Sequence, residues 1–533
     1  MNADVGIRRL GDRALLADLP DLETVLAARD ALAASRPHGV EDVVPAARTV
    51  AVLFDPQRVS LDAARTWFQR ALGDLVGHGR PTSDPAGSEV VIDVVYDGED
   101  LAEAARLVGV SVDELVRKHA AERWRVAFDG FAPGFGYLVA DGDWFEVPRR
   151  SSPRTNVPAG AVALAGGFSG VYPREGPGGW QLIGRTDAPL WRPRSSPPAL
   201  LAPGTAVRFR AVDALAPDSA APAAAAAPAP PGPAAAASVA AAPSITVLRA
   251  GPQLLIEDLG RVGSASIGAG RSGALDRGAL RLANRLVGNP EGAAGLEVVV
   301  GAELRFEQPT WFAVTGARGV LRVGGHPIES DAAVHADAGD VLSLGMADHG
   351  LRYVIALRGG VDAPLELASA STDLGARLGP APLTDGDAIV IGAGTASGIP
   401  AVDALTVWSP PDDEVDVHVV PGPREDWFAR DSVEAFYDTE WEVTQASNRV
   451  GMRLRSPRGV SLDRAERVAA TELASEPMVP GAIQVPPSGE PTVLLADGPV
   501  TGGYPVIAVV TDADLDLFAQ LRPGQRLRFR HAR

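Results

Sequence analysis

The 533-residue sequence contains no cysteine, which excludes disulfides, thiolate nucleophiles, cysteine-ligated zinc and iron–sulfur clusters together. Lysine is almost missing too: Lys118 is the only one. A P-loop therefore has no lysine to grip phosphates, and a biotin carrier has none to modify, so covalently bound biotin is excluded. Lys118 lies between Arg117 and His119 and reads as a solvated helix residue. Basic charge is short as well. Forty-nine Lys and Arg against 67 Asp and Glu give a formal charge of -18, which repels nucleic acid and anionic lipid. No stretch reaches the roughly eighteen uninterrupted apolar residues of a membrane span, and the start lacks the basic-then-apolar pattern of a leader. A cytoplasmic protein that does not enter membranes is the expectation. The eight histidines include no i, i+4 pair, so no metal site is predicted.

What is present is a large apolar fraction, 46%, on a chain too long for one core. The expected fold is mainly β with an α+β N-terminal part. Residues 214–243 are Ala and Pro with almost no large apolar side chains, and read as an extended linker. Before it, Val50, Val52 and Phe54 alternate as in a strand, and Ser60 caps a helix carrying Leu61, Ala64, Phe68 and Leu72 on one face. That predicts a small α+β domain over 1–85 and a β domain over 86–213, in which Ser111 and Glu114 form a capping box. Residues 244–533 read as short strands in two lobes, broken by a helix from Asp276 to Val287. An internal repeat links the halves. Pro203-Gly204-Thr205-Ala206-Val207-Arg208-Phe209-Arg210 matches Pro523-Gly524-Gln525-Arg526-Leu527-Arg528-Phe529-Arg530, and upstream matches keep the same order, so both halves should end in the same β unit.

Two local features bear on chemistry. Gly268-Ala269-Gly270-Arg271-Ser272-Gly273 spells G-x-G-x-x-G before a helix. A dinucleotide site also needs a return to a parallel strand, so a glycine-rich turn, or an anion resting on the helix-start amides, competes with that reading. His119 shares an apolar helix face with Val112, Leu115 and Val116, and is either a satisfied core histidine or a proton-transfer group.

The run Gly130-Phe131-Ala132-Pro133-Gly134-Phe135-Gly136-Tyr137-Leu138, followed by Pro153-Arg154-Thr155-Asn156 and Gly178-Gly179-Trp180-Gln181-Leu182-Ile183-Gly184-Arg185, resembles the B-type component of 5-oxoprolinase, the allophanate hydrolase subunit 1 or Kip inhibitor family. The second half, through Glu257-Asp258-Leu259-Gly260-Arg261, Ser272-Gly273-Ala274-Leu275-Asp276, Ala283-Asn284-Arg285-Leu286 and Gly481-Ala482-Ile483-Gln484, is similar to the C-type component, the allophanate hydrolase subunit 2 or Kip antagonist family. The resemblance implies a fusion of the two components, related to urea amidolyase, with cyclophilin-like β barrels in both halves and a site between them. It implies an ATP-dependent hydrolase component, with Mg2+, that opens 5-oxoproline or an analogue together with a separate LamB/YcsF-type subunit. A non-enzymatic regulator of a histidine kinase, or a carboxyltransferase-like component acting on a urea-type substrate, stays open, as does self-association.

Carried over residue by residue, the resemblance implies catalytic roles for His119, Asp258 and Arg185. It implies substrate or nucleotide contacts for Phe131, Pro133, Gly134, Tyr137, Arg154, Arg261, Ser272, Asp276, Asn284, Arg449, Gln484 and Tyr504. Structural alternatives stand beside several: Asp276 as a helix cap, Asn284 as a buried amide, Arg261 as a partner of Asp258. The chain departs from the family pattern at Phe168, Ala370, Asn448 and Gly498, where a glutamine, an arginine, an aspartate and an arginine are usual.

Overall fold

The computed structural model describes residues 6–78, 89–150, 152–193, 195–215, 244–394, 397–400 and 414–532. The expected linker lies outside them apart from its first two residues.

The first unit is a four-stranded sheet in the order Ile7–Arg9, Ala14–Asp18, Thr49–Phe54, Val40–Pro45, with helices α1 (Leu22–Ala34) and α2 (Leu61–His78). The alternation seen in the sequence is the buried face: Val50, Val52 and Phe54 are 0% exposed and pack on Ala64, Phe68 and Leu72.

Next comes a seven-stranded sheet with α3 (Leu101–Val108) and α4 (Val112–Ala121) against it. Ser111 caps α4 by accepting the Glu114 amide at 3.1 Å, as the capping spacing predicts. The sheet curls into a barrel-like form. Its first strand, Val90–Val94, pairs in parallel with its last, Ala206–Ala211, and Val95 bridges across to Arg185.

The second half has two β lobes. One is a nine-stranded sheet dominated by two long strands, Thr310–Val323 and Val341–Leu357, with α5 (Arg277–Leu286) packed on them. The other is a closed seven-stranded barrel with α6 (Arg430–Asp438), again joining its first strand, Glu414–Pro421, in parallel to its last, Arg526–His531. The protein is mainly β, with barrel-like sheets in both halves.

The repeat extends beyond the matching letters into three dimensions. In the first barrel Trp124 Nε1 donates to the His119 carbonyl at 3.1 Å, and His119 stacks on Phe209 with ring centres 4.5 Å apart. In the second, Trp441 Nε1 donates to the Phe436 carbonyl at 3.0 Å, and Phe436 stacks on Phe529, also at 4.5 Å. His119 and Phe436 thus occupy the same place in the two copies.

Candidate functional site

The two halves meet where four loops converge: 130–134 from the first barrel, and 260–276, 366–379 and 496–501 from the second half. Glycine permits the approach. A Cβ on Gly130 would lie 2.3 Å from Thr501 Oγ1, and one on Gly268 would lie 2.8 Å from the Ala132 carbonyl. The Phe131 amide donates to Thr501 Oγ1 at 3.0 Å. Trp191, packed near Gly134, donates through Nε1 to Glu366 at 3.1 Å, and Glu366 also accepts the Gly379 amide at 2.7 Å. The backbone is strained there: among the described residues, five of the seven non-glycine residues with positive φ, Phe131, Ser272, Leu367, Ala368 and Arg377, lie in these loops. Such conformations persist only where surroundings hold them, and they concentrate at functional sites.

Behind the loops lies a buried charge network. Arg449 donates to Asp497 through Nε and Nη2, both at 3.0 Å, to Glu297 at 2.6 Å and to the Gly273 carbonyl at 2.7 Å. Its Nη2 lies 3.3 Å from Glu257 without hydrogen-bond alignment, and both Glu257 oxygens lack hydrogen-bond partners. Burial drives the Glu257 carboxyl well above the usual carboxylate range, whereas Glu297 is held below it because Arg449 and Arg352 outweigh its burial. Ser272 donates to Asp497 at 2.8 Å. Asp373, 2% exposed, stands at the front of this network, and burial, reinforced by Asp497, pushes its carboxyl up to about 7. A carboxyl tuned there exchanges protons at working pH.

The structure brings Phe131, Gly134, Arg261, Ser272 and Arg449 into this seam. Asp258 lies beside it as a loop organiser, accepting from Gly260 N, Ser369 Oγ, Ala370 N and Ser371 Oγ. Arg261 does not pair with it: Arg261 Nη2 donates to the Ser371 carbonyl, while Nε and Nη1 have no partner. Pro133 belongs to the same first-half loop, and Tyr137 is buried beneath it, stacked on Phe128.

Other expected residues lie elsewhere. His119 is 0% exposed in the first barrel, its Nδ1 2.7 Å from Tyr96 Oη and its Nε2 2.8 Å from Ser169 Oγ. Burial lowers its pKa to about 3. Arg154 is tied to Asp100 and Glu99, and Arg185, more than half exposed, to Asp97. Asp276 caps α5 by accepting the Ala279 amide and also accepts from Gln520. Asp516 takes the Arg277 and Gly278 amides. The protein's own carboxylates therefore fill the helix start, which corrects the reading of those amides as an anion seat. The segment after α5 returns as antiparallel strands, which also removes the dinucleotide reading. Asn284 holds the 291–293 turn through its amide, Gln484 ends a barrel strand, and Tyr504 is exposed.

Several seam residues were not singled out from sequence: Asp373, Asp497, Glu297, Arg174 and Asp129. Asp129 begins the 130–134 loop, fully buried with both oxygens unpartnered, and burial pushes its carboxyl well above the usual range. A cavity of about 110 Å³ lies between the small N-terminal unit and the second barrel, lined in part by Arg261, Arg271, Leu494, Gly498 and Val500. Among the described residues no group of three or more His, Asp or Glu is placed to hold a metal ion, and no helix is long and apolar enough to cross a membrane.

Residues 5–201 match the carboxyltransferase domain, subdomains C and D, and residues 267–531 match subdomains A and B. The chain belongs to this carboxyltransferase-domain family. Within it, the C-type component of 5-oxoprolinase from Escherichia coli is 36% identical over 54% of this chain and 90% of its own length. The B-type component, also from E. coli, is 37% identical over 32% of the chain and 78% of its own. Urea amidolyase of Lachancea kluyveri is 33% identical over 51% of this chain, but that stretch is only 16% of the larger enzyme. A crystal structure of TTHA0988 superposes with a TM-score of 0.80 at 32% identity, covering 97% of this chain and 99% of that one. The two E. coli relatives are named as separate subunits of 5-oxoprolinase, whereas this family member carries both types in one chain.

Proposed function

We propose that this chain is the fused B/C-type component of an ATP-dependent hydrolase that opens a cyclic amide, with 5-oxoproline as the reference substrate and a separate LamB/YcsF-type subunit as partner. The observation that supports it best is the seam itself. The B-like and C-like halves close on a strained cleft that holds arginines from both sides and a carboxyl tuned near neutrality. ATP would phosphorylate the amide oxygen and leave as ADP; water then adds to that carbon, the ring C–N bond breaks as the nitrogen takes up a proton, and a second water hydrolyses the resulting acyl phosphate to the carboxylate and phosphate. In this reading Asp373 handles the proton and Arg261, Arg174 and Arg377 face the phosphoryl oxygens. Magnesium would arrive with the nucleotide. The arginines that the family pattern carries at 370 and 498 are alanine and glycine here, and these three keep positive charge in the cleft.

The experiment is ATP hydrolysis by the full chain with 5-oxoproline, with and without the partner subunit. Turnover requiring all three components supports the proposal. Absence of substrate-stimulated hydrolysis with the partner present refutes it and favours the regulator reading.

A further inference from the structure

The cavity of about 110 Å³ beside the seam is not used by the reaction proposed above. Most of its wall is apolar. Leu10 and Leu53 come from the small N-terminal unit, Met478, Leu494 and Val509 from the second barrel, and Ala265 from the short helical turn Ala265–Ile267. The cavity continues outward: Glu41, Val262 and Arg271 line both it and a surface depression that also carries Arg36, His38, Asp55 and Arg58. Val262, an apolar residue 52% exposed, stands at this neck. At the other end, Gly498, Pro499 and Val500 belong to a loop that also builds the seam.

Most charged groups around the cavity already have partners. On the inner wall Asp12 accepts the Asp512 amide at 2.9 Å, and Asp42 accepts the Val43 and Ser266 amides at 2.8 and 3.1 Å. Asp512 lies 3.0 Å from Arg13 and 2.8 Å from Arg277, which also pairs with Asp516, and Arg261 donates to the Ser371 carbonyl. In the depression Arg58 lies 3.4 Å from Asp55, and Arg36 donates to the Val40 and Glu41 carbonyls. At the neck Arg271 keeps a free edge. Its Nε donates to the Leu259 carbonyl at 3.2 Å, but Nη1 lies 3.5 Å from Glu41 without hydrogen-bond alignment, and neither Nη1 nor Nη2 is hydrogen-bonded among the described residues. Over both walls six arginines face five lining carboxylates, with Asp516 behind Arg277, on a chain whose net charge is -18.

A guanidinium edge beside an apolar recess is complementary to a carboxylate with a hydrocarbon body. Volume limits that body: an apolar cavity of about 150 Å³ holds benzene, so about 110 Å³ takes about four to five carbons. We infer that the cavity and its neck form a binding site for a small monocarboxylate of that size, with the carboxylate on Arg271 and the body between the N-terminal unit and the second barrel. The site is separate from the proposed reaction and needs neither ATP nor the partner subunit. Because its walls come from both halves of the chain, an occupant ties them together.

Pentanoate is the probe, titrated calorimetrically into the full chain at pH 7.5. From acetate to pentanoate affinity should rise about fourfold per methylene, then level off or fall by octanoate because the cavity is full. A rise that continues to octanoate places the hydrocarbon on open surface and overturns the inference. Pentanamide, which keeps the body and lacks the charge, should bind at least tenfold more weakly than pentanoate. Arg271→Met should weaken pentanoate binding at least tenfold, and Glu41→Gln, which removes the competing carboxylate, should strengthen it at least twofold. Ala265→Leu, which fills the cavity, should weaken it at least tenfold and covers the case in which Arg271→Met misfolds. Bound pentanoate should also slow hydrogen exchange at the Ser266 and Asp512 amides, which donate across the halves. No pentanoate binding, unchanged affinity in both Arg271→Met and Ala265→Leu, or binding without slower exchange at those two amides overturns the inference.

Discussion

Replacing His119 by asparagine separates packing from proton transfer. The imidazole bridges Tyr96 Oη and Ser169 Oγ at 2.7 and 2.8 Å, and asparagine reaches at most one of them. Leaving the other unpaired costs about 1–3 kcal/mol, and losing the stack on Phe209 about 0.5–1.5 kcal/mol more. The expected loss is about 2–4 kcal/mol, a fall in thermal midpoint of roughly 4–16 °C for a domain of this size. A pH signature accompanies it. Burial keeps His119 neutral in the folded barrel down to about pH 3, while the unfolded chain takes up the proton below its ordinary 6.5. Protons therefore favour the unfolded state between those values, and the wild type loses about 1.4 kcal/mol per pH unit that the variant does not. Denaturant unfolding of both proteins at pH 7.5, 6 and 5 should show the gap between them narrowing with acid. A gap independent of pH, or turnover lost about 100-fold at an unchanged midpoint, would refute the packing argument and return His119 to proton transfer.

Three further outcomes are expected. Gly130→Ala drives a Cβ into Thr501 and should cost about 1–3 kcal/mol; adding Thr501→Ala, which removes Oγ1 and Cγ2 from the clash, should restore part of it, and strictly additive losses in a double-mutant cycle would count against the close approach. Arg449→Met leaves Glu257, Glu297 and Asp497 without their shared cation and should cost about 3–5 kcal/mol at pH 7.5. That loss should shrink at pH 5, and an equal loss at both pH values in denaturant titrations argues against an electrostatic origin. A protease site inserted in residues 216–243 should be cut without separating the halves on a sizing column, because Arg424 pairs with Asp18 across them, Ser266 N donates to Asp42 and Asp512 N to Asp12; separation would remove the seam as a site.

Strand alternation, caps and the repeated closing segment were legible because each is a local pattern: Ser111 and Glu114 sit three apart, and Val50, Val52 and Phe54 share one face. The seam was only partly legible. Arg261, Ser272 and Arg449 entered through motifs, but Arg174 and Arg377 are isolated charges some two hundred positions apart in the sequence, and nothing local marks them as neighbours. Asp373 looks like an ordinary turn residue until burial and Asp497 reshape its acidity. For His119 a signal did exist. Trp124 follows it by five residues as Trp441 follows Phe436, so extending the repeat upstream would have aligned the histidine with a phenylalanine.

Parallel closure of each barrel also orders events in time. Val90 faces Val207 and Glu414 faces Arg526, so each barrel stays open until more than a hundred further residues have left the ribosome. Closing such distant ends is slow compared with forming a hairpin. The first barrel has all its strands long before Glu414 is made, and can close alone. The second must assemble against a finished neighbour, whose 130–134 loop then serves as a template for the late-arriving Thr501. Deleting either closing strand, Ala206–Ala211 or Arg526–His531, would leave a long unpaired edge on an otherwise complete sheet, and such edges recruit other chains.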